Sequence, residues 1–199
     1  MPYRRTESVQ ARLDAGREKL FASAVEVLST QGYKGLSIAS VAAAAGVSAG
    51  SVYTHFENKS DLVVAIFREV CGREVQAVAD AGARGTVVER VTAIVETFAG
   101  RAMKNRTMAY ALLAEPVDAA VDAERLVFRR SFTDAIAGAI TAGIAAGDVP
   151  EQNAQLAAAA LVGAVGEVLV GPLSPDRPPG PDVVPDLVAF ALRSLGVRP

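Results

Sequence analysis

Apolar residues recur along this chain at intervals of three and four, which is the spacing of an amphipathic α-helix. In the first such segment Leu13, Leu20, Phe21 and Leu28 share one face, and charged residues occupy the others. Glycine and small polar residues stand between the segments, where helix caps are expected. About nine helices are predicted, over residues 8–31, 38–45, 48–54, 60–81, 86–104, 107–114, 118–146, 153–171 and 182–195. The segment 172–181 holds five prolines and is predicted to be a loop.

Composition supports an all-α fold and argues against most enzyme chemistry. The 199 residues are 51% hydrophobic and only 6% aromatic, with 38 alanines and no tryptophan, a balance that favours closely packed helices over a β-sandwich. A single cysteine, Cys71, excludes an internal disulfide and a cysteine-rich zinc site. A single histidine, His55, argues against most metalloenzyme and Ser-His-Asp schemes. We therefore expect no catalytic residues, no metal and no cofactor.

Charge divides the chain unevenly and bears on its partners. Residues 1–60 carry seven Lys/Arg and five Asp/Glu, whereas residues 61–199 carry thirteen and seventeen. The basic excess at the N-terminal end is a weak indication of contact with a polyanion. Arg4 and Arg5 precede a charged helix rather than an apolar run, so a cytoplasmic protein is expected. Residues 154–173 are apolar apart from Glu167, and we interpret them as a buried helix rather than a membrane span.

Two short capped helices follow the first helix. Ser37 and Ser48 are good N-caps for them, and Gly46 between them can adopt a left-handed conformation without penalty. Two capped helices joined by such a turn make a helix-turn-helix. Its apolar underside is predicted to consist of Ala39, Ala42, Val47, Val52 and Phe56.

The run from Ser37 to Leu62 resembles the DNA-binding signature of the TetR family of bacterial transcription regulators. The resemblance extends over roughly residues 12–66 and is carried by the Ala45-Gly46-Val47-Ser48 turn, Gly50-Ser51-Val52-Tyr53, His55-Phe56 and Lys59-Ser60-Asp61-Leu62. It implies an N-terminal three-helix DNA-binding domain, residues 8–59, and a larger helical domain for ligand binding and dimerisation, residues 60–199. The remaining chain resembles the family only in its helical layout.

The resemblance also assigns roles within the motif. It implies phosphate contacts from Ser37, Tyr53, His55 and Lys59, and base contacts from Ala49, Ser51 and Thr54. Ser48 also faces outward, and Gly50 permits close approach of the backbone to DNA. Alternatively, His55 only caps its helix.

Three alanines leave two functions open. Ala43, Ala44 and Ala49 stand where relatives often have charged or longer polar residues. One hypothesis is therefore a DNA-binding regulator, and the other is a helical protein-interaction module that has lost DNA binding. Arg4, Arg5, Arg12 and Arg17 either add electrostatic affinity for DNA or form a solvated tail.

The second domain is expected to form a dimer with the same domain of a second subunit and to enclose a ligand. Small and apolar residues at helical spacing in the last two helices predict a dimer interface of Leu156, Ala159, Ala160, Gly163, Ala164, Val170, Val184, Leu187, Val188, Ala191, Leu192 and Leu195. The alternative is that these helices only complete a monomer core. The predicted pocket residues, which suit a hydrophobic or amphipathic ligand, are Phe67, Cys71, Ile94, Thr97, Phe98, Met103, Met108, Tyr110, Leu113, Phe128, Arg129, Phe132, Thr133, Ile136 and Glu167. Cys71 is expected to be a small buried hydrophobe there.

Together these features predict a homodimeric, ligand-responsive regulator, a repressor, that binds a palindromic operator and leaves it when a small effector binds. The partners are thus double-stranded operator DNA, a second copy of the chain and a small molecule.

Overall fold

The computed structural model describes residues 7–178 and 180–197. Within them the chain is helical, which confirms the predicted all-α class. The nine helices of this part are α1 Glu7–Gly35, α2 Ile38–Ala45, α3 Ala49–Tyr53, α4 Lys59–Ala81, α5 Val87–Lys104, α6 Arg106–Leu113, α7 Ala119–Ala146, α8 Ala154–Leu173 and α9 Val184–Ser194.

Local capping chemistry explains where most helices begin. The Ser37 side chain accepts the Ser40 amide at the start of α2, and the Ser40 side chain accepts the Ser37 amide in return. Thr86 and Glu89 form the same reciprocal cap at α5. Gly46 ends α2 in the left-handed conformation with φ 65°. The backbone therefore turns between α2 and α3 within a few residues.

The ends of α1 and α8 compare differently with the prediction. At Gly32, where the first helix is predicted to stop, φ is 67° and ψ is −170°, a non-helical conformation that kinks the chain, and a short further helical stretch follows as far as Gly35. Pro172 and Leu173 form the last turn of α8 instead of the predicted loop. A proline is tolerated at this end because it removes only one helical N–H donor, and the Pro172 carbonyl accepts the Arg106 Nε at 2.8 Å.

Buried residues form two hydrophobic cores. The first core joins α1, α2 and α3 to the first half of α4, as far as Val70, and includes Ala111 of α6 and Val121 of α7. The second joins α5, α7, α8 and α9. The predicted boundary near residue 60 stays a prediction. α4 contacts α1 as well as α5 and α7. α4 therefore contacts both α1 and helices of the second core.

α8 exposes much of its apolar surface. It is the one described helix that could cross a membrane by length and composition. One side of it is buried, at Ala158, Leu161, Val165 and Leu169, whereas Leu156 on the other side is 70% exposed. The prediction of a buried helix is therefore right for only one of its faces within a single subunit.

Candidate DNA-binding surface and ligand cavity

The α2–α3 unit presents a smooth, uncharged outer surface. Val52 and Phe56 are buried against the first core, while Tyr53 is 55% exposed. The other exposed residues of this surface are Ala43, Ala44, Gly46, Ser48, Ala49, Gly50 and Thr54. Small side chains at these positions allow the backbone of α3 to approach a partner closely. We call this set, from Ala43 to Thr54, the recognition surface.

One residue of the predicted underside is misplaced. Ala39 is exposed, because the buried face of α2 is formed by Val41, Ala42 and Ala45. Val47 is half-buried and packs on the first core, as expected. Ala42 is buried as predicted, and Val41 and Ala45 take the place of Ala39 on the buried face of α2.

Hydroxyl groups on the recognition surface are held by local hydrogen bonds. The Ser48 Oγ accepts the Ser51 amide at 3.2 Å and lies 3.0 Å from the Ser51 Oγ. The Thr54 hydroxyl donates to the Ser51 carbonyl at 2.7 Å. The half-buried Ser37 Oγ accepts the Ser40 amide at 3.0 Å. These bonds fix the side chains while leaving Ser48 and Thr54 exposed.

Basic groups border the recognition surface. Arg17 of α1 lies over the Phe56 ring, with its guanidinium carbon 4.9 Å from the ring centroid, and its Nη1 donates to the His55 carbonyl at 3.5 Å. The Lys59 Nζ lies 5.0 Å from the centroid of the Tyr33 ring. Arg17 is thus folded onto the motif, Arg12 is exposed, and Arg4 and Arg5 fall outside the described residues.

His55 packs against α1. A Cβ placed on Gly16 would lie 3.1 Å from the His55 Nε2, so the glycine provides room for the imidazole. The ring is half-buried and sits at the edge of the recognition surface. This position accommodates either of the two predicted roles.

A buried carboxylate ties the end of α1 to the segment between α6 and α7. Glu115 is only 7% exposed, and its two oxygens accept the amides of Tyr33 at 2.8 Å and Lys34 at 3.0 Å. The kink at Gly32 makes this possible, since a Cβ there would lie 2.9 Å from the Glu115 Oε2. The Tyr33 hydroxyl also donates to the Asp118 Oδ2 at 2.6 Å, which lowers the pKa of the Asp118 carboxyl.

Arg125 continues this connection toward the interior of the second domain. Its Nε donates to the Leu112 carbonyl at 2.9 Å, and its Nη2 donates to the carbonyls of Ala111 at 2.7 Å and Glu115 at 2.6 Å. These carbonyls include the last turn of α6, whose groups have no partner within the helix. No local pattern indicates either Glu115 or Arg125, because their partners lie elsewhere in the chain.

A cavity of about 550 Å³ lies between α4, α5, α6, α7 and α8. Its volume falls within the range of small-molecule sites. Ten predicted residues line it: Cys71, Ile94, Phe98, Met108, Leu113, Phe128, Arg129, Phe132, Ile136 and Glu167. Lining residues that the prediction missed include Glu74, Val78, Val91, Val95, Arg101, Asn105, Leu112, Arg125, Ile140, Leu161, Val165 and Val170. Most of these are aliphatic, and nothing in sequence alone distinguishes an aliphatic cavity wall from a core.

Five predicted pocket residues lie outside the cavity lining. Phe67 is fully buried in the first core, because it occupies the α4 face that meets that core. Met103 and Tyr110 pack on the second core, and the Thr133 hydroxyl bonds within its own helix, to the Arg129 carbonyl at 2.8 Å. Thr97 is half-buried on a different face of α5.

Polar groups in the cavity are few. Glu74 and Arg101 form a two-bond ion pair, with N–O distances of 2.6 and 2.8 Å. Desolvation raises the pKa of the Cys71 thiol to about 12, so this group is an uncharged thiol at neutral pH. Cys71 is half-buried rather than fully buried as predicted. Burial likewise lowers the pKa of Arg125.

An apolar surface remains open on α8 and α9. Leu156 and Val168 of α8 and Phe190 of α9 are exposed, and so are the predicted interface residues Ala159, Ala160 and Gly163. Ala164, Val170, Val184 and Val188 are half-buried, with Val170 also lining the cavity. The prediction missed Val168 and Phe190.

Four predicted interface residues are corrected by their burial. Leu187, Ala191, Leu192 and Leu195 lie in the subunit's own second core, with exposures of 3% or less. The physical reason is that the strongest apolar stripe of α9 packs against α5. What α9 leaves open is the adjacent face that carries Phe190.

Comparison with known proteins identifies the N-terminal unit. Residues 20–66 match the family model for bacterial regulatory proteins of the tetR family. Over 66 residues, 33% of this chain and 32% of the other protein, the chain is 46% identical to the HTH-type transcriptional regulator CymR of Pseudomonas putida.

Longer matches cover the second domain. The chain is 22% identical to the fatty acid metabolism regulator protein of Bacillus subtilis (strain 168) over 151 residues, 74% of this chain and 78% of that protein. The crystal structure of the transcriptional regulator FadR from Bacillus subtilis in complex with stearoyl-CoA has a TM-score of 0.70 at 21% identity, covering 90% of this chain and 96% of that one. Residues 20–66 are therefore similar to the DNA-binding unit of the tetR family of bacterial regulatory proteins, and the chain shares the fold of the FadR structure.

Proposed function

We propose that this chain is a ligand-responsive transcriptional repressor that binds a palindromic operator as a homodimer and is released by a small amphipathic effector. The observation that carries the proposal is the connection between its two sites. Arg125 lines the cavity and binds the Glu115 carbonyl, and the Glu115 carboxylate binds the end of α1. The protein acts in the cytoplasm and has no catalytic role.

Operator recognition uses the recognition surface. The N-terminal half of α3 enters the major groove, with Ala49, Ser51 and Thr54 toward base edges and Gly50 allowing close approach. Ser37, Ser48, Tyr53, His55 and Lys59 contact phosphates. Small alanine side chains at the groove favour apolar contact with thymine methyl groups over long-range hydrogen bonding.

Dimerisation joins the exposed faces of α8 and α9 from two copies. A two-fold pairing covers Leu156, Val168 and Phe190, which one subunit leaves exposed. It also brings two copies of α3 to one side of the assembly. These must meet half-sites about one helical turn, roughly 34 to 36 Å, apart.

The effector occupies the cavity between α4 and α8. Support comes from the aliphatic and aromatic lining and from the Bacillus subtilis relative, whose structure holds stearoyl-CoA. Occupancy favours the conformation in which α4 is displaced, since α4 contributes Cys71, Glu74 and Val78 to the wall. The first half of α4 is part of the DNA-binding core, so the same movement changes the separation of the two α3 helices.

A fluorescence-anisotropy titration against labelled DNA from the chain's own promoter tests the proposal. The measurement is repeated at two salt concentrations and with unlabelled competitor DNA of unrelated sequence. An operator-binding protein is expected to keep binding the labelled promoter DNA when the unrelated competitor is present, and its affinity is expected to fall steeply as the salt concentration rises. Binding that competitor removes completely would contradict the proposal and favour the protein-interaction module, for which the exposed alanines 43, 44 and 49 are better suited.

A further inference from the structure

The charged side chains of the cavity wall do not cancel. Arg101, Arg125 and Arg129 face it together with two carboxylates, Glu74 and Glu167. Arg101 is neutralised by its ion pair with Glu74. The balance over the described lining residues is one positive charge. An apolar cavity with one excess cation is suited to a ligand with one negative charge.

Arg125 is the cation with spare bonding capacity. Its Nε and Nη2 are occupied by three carbonyls, whereas the nearest carboxylate to Nη1 is Asp122, 3.9 Å away. In the part of the chain that the structure describes, every fully enclosed side-chain nitrogen or oxygen has a hydrogen-bond partner. Nη1 has none at hydrogen-bond distance, so it borders open space, and Arg125 is a lining residue of the cavity.

The surroundings of Arg125 leave its charge poorly compensated. The side chain is only 14% exposed, while Asp122 is 67% exposed and therefore well screened by water. Burial lowers the pKa of Arg125 and the neighbouring Arg129 lowers it further, against the opposing effects of Asp122, Cys71 and Glu115. A cation held away from water is stabilised by an anion placed at its free donor.

We propose that the ligand of this cavity is an apolar monocarboxylate whose acid group is bound by Arg125 and Arg129. Its hydrocarbon part lies among Phe98, Phe132 and Ile136, which line the same cavity. Phe98 and Phe132 form an edge-to-face pair, with ring centroids 5.2 Å apart, and provide a rigid apolar wall. The inference rests on the proposed function, in that the cavity is taken as the effector site.

This placement also explains how occupancy reaches the DNA-binding unit. The guanidinium that binds the acid group also holds the Ala111, Leu112 and Glu115 carbonyls. A ligand carboxylate at Nη1 redirects the same planar group, and any rotation strains its bonds to the end of α6. A neutral ligand of the same length fills the cavity without this effect.

Binding of matched ten-carbon probes to the full chain tests the charge preference. Decanoate, decanol, decylammonium and decanoyl-CoA are compared by isothermal titration calorimetry below their micelle concentrations. Decanoate is expected to bind at least tenfold more tightly than decanol, and decylammonium most weakly. Equal affinities for decanoate and decanol would overturn the proposal.

Three variants locate the charge. Arg129→Glu reverses the net charge of the cavity lining at an exposed position, and is expected to reduce the ratio of decanoate to decanol affinity at least fivefold. The adjacent Arg130 is outside the lining, so Arg130→Glu is expected to leave this ratio unchanged. Arg125→Lys keeps a cation but loses the planar fork, and is expected to weaken decanoate at least fivefold with decanol unaffected. Because Arg125 also binds three backbone carbonyls, the thermal unfolding of the Arg125→Lys protein is measured as well. If this variant does not fold, the comparison of Arg129→Glu with Arg130→Glu tests the charge preference by itself.

The remaining outcomes separate this inference from the proposed function. If decanoyl-CoA binds more tightly than decanoate and neither Arg125→Lys nor Arg129→Glu changes either affinity, the negative charge lies outside the cavity and the inference is wrong. If decanoate and decanol release operator DNA equally, the regulator stands and the inference fails. If decanoate shows its charge preference but no probe alters operator affinity, the monocarboxylate site stands and the effector switch fails.

Discussion

Replacing Glu115 with glutamine tests the connection between the two domains. The carboxylate has a different amide donor on each oxygen, from Tyr33 and from Lys34, at 2.8 and 3.0 Å. Glutamine keeps one acceptor and places an NH₂ group opposite the other amide. The substitution therefore removes the charge, breaks one hydrogen bond and leaves a buried backbone donor without a partner.

The magnitude follows from those losses. A hydrogen bond to a charged group contributes about 1.5 to 3 kcal/mol, and an unsatisfied buried donor costs about 1 to 3 kcal/mol. The two overlap in one measurement, so Glu115→Gln is expected to lower the free energy of unfolding by about 2 to 4 kcal/mol. The effect is this large because Glu115 is only 7% exposed, so water cannot replace the lost hydrogen bond.

Urea denaturation at a fixed protein concentration measures the effect, since a dimer's stability depends on concentration. Glu96→Gln is the matched control, because Glu96 is exposed on α5. The control is expected to change stability by less than about 0.5 kcal/mol. A Glu115→Gln variant as stable as Glu96→Gln would refute the reasoning. Folded Glu115→Gln protein should also show a smaller ligand-induced change in operator affinity.

Three other predictions concern the same connection and the dimer. Gly32→Ala is expected to destabilise the chain by about 1 to 2 kcal/mol in urea, because of its positive φ and the crowding Glu115 oxygen. Tyr33→Phe removes the bond that lowers the pKa of Asp118. That bond stabilises the fold above the ordinary carboxyl pKa of 3.8, and the stabilisation is lost as the pH falls through the lower folded pKa, so the difference between wild type and variant shrinks in acid. Leu156→Glu is expected to convert the proposed dimer to a monomer in light scattering.

Matched substitutions control two of these. Gly100 is helical with open space around its Cα, so Gly100→Ala is expected to be stabilising, and an equal loss from both glycine variants would argue against a special role for the kink. Leu126 of α7 is also exposed but is not one of the proposed interface residues, so Leu126→Glu should leave the proposed dimer intact. A Tyr33→Phe deficit that is constant from neutral pH to acid would exclude the pKa explanation.

Local chemistry made the N-terminal unit predictable. The Ser37 and Ser48 caps and the left-handed Gly46 lie within a few residues of the helices they delimit. Their signals are therefore contained in short windows of sequence. The alternation of buried Val52 and exposed Tyr53 follows from the same local register.

Long-range packing limited the prediction elsewhere. α9 has apolar residues on more than one face, and only its contact with α5 decides that Leu187 and Leu192 are core and Phe190 is exposed. Glu115 lies 82 residues from the Tyr33 amide it binds, a separation that no periodicity reveals. Cavity walls and cores share the same aliphatic composition, so their distinction requires coordinates.

The central claim is that α3 reads duplex DNA, and operator titration of Tyr53→Ala and Lys59→Ala tests it most directly. Both side chains are exposed, so the variants should keep wild-type thermal unfolding. The account predicts that each variant weakens operator binding at least tenfold. It also predicts that Lys59→Ala reduces by about one the slope of the logarithm of the binding constant against the logarithm of the salt concentration. Unchanged operator affinity in both folded variants would contradict it.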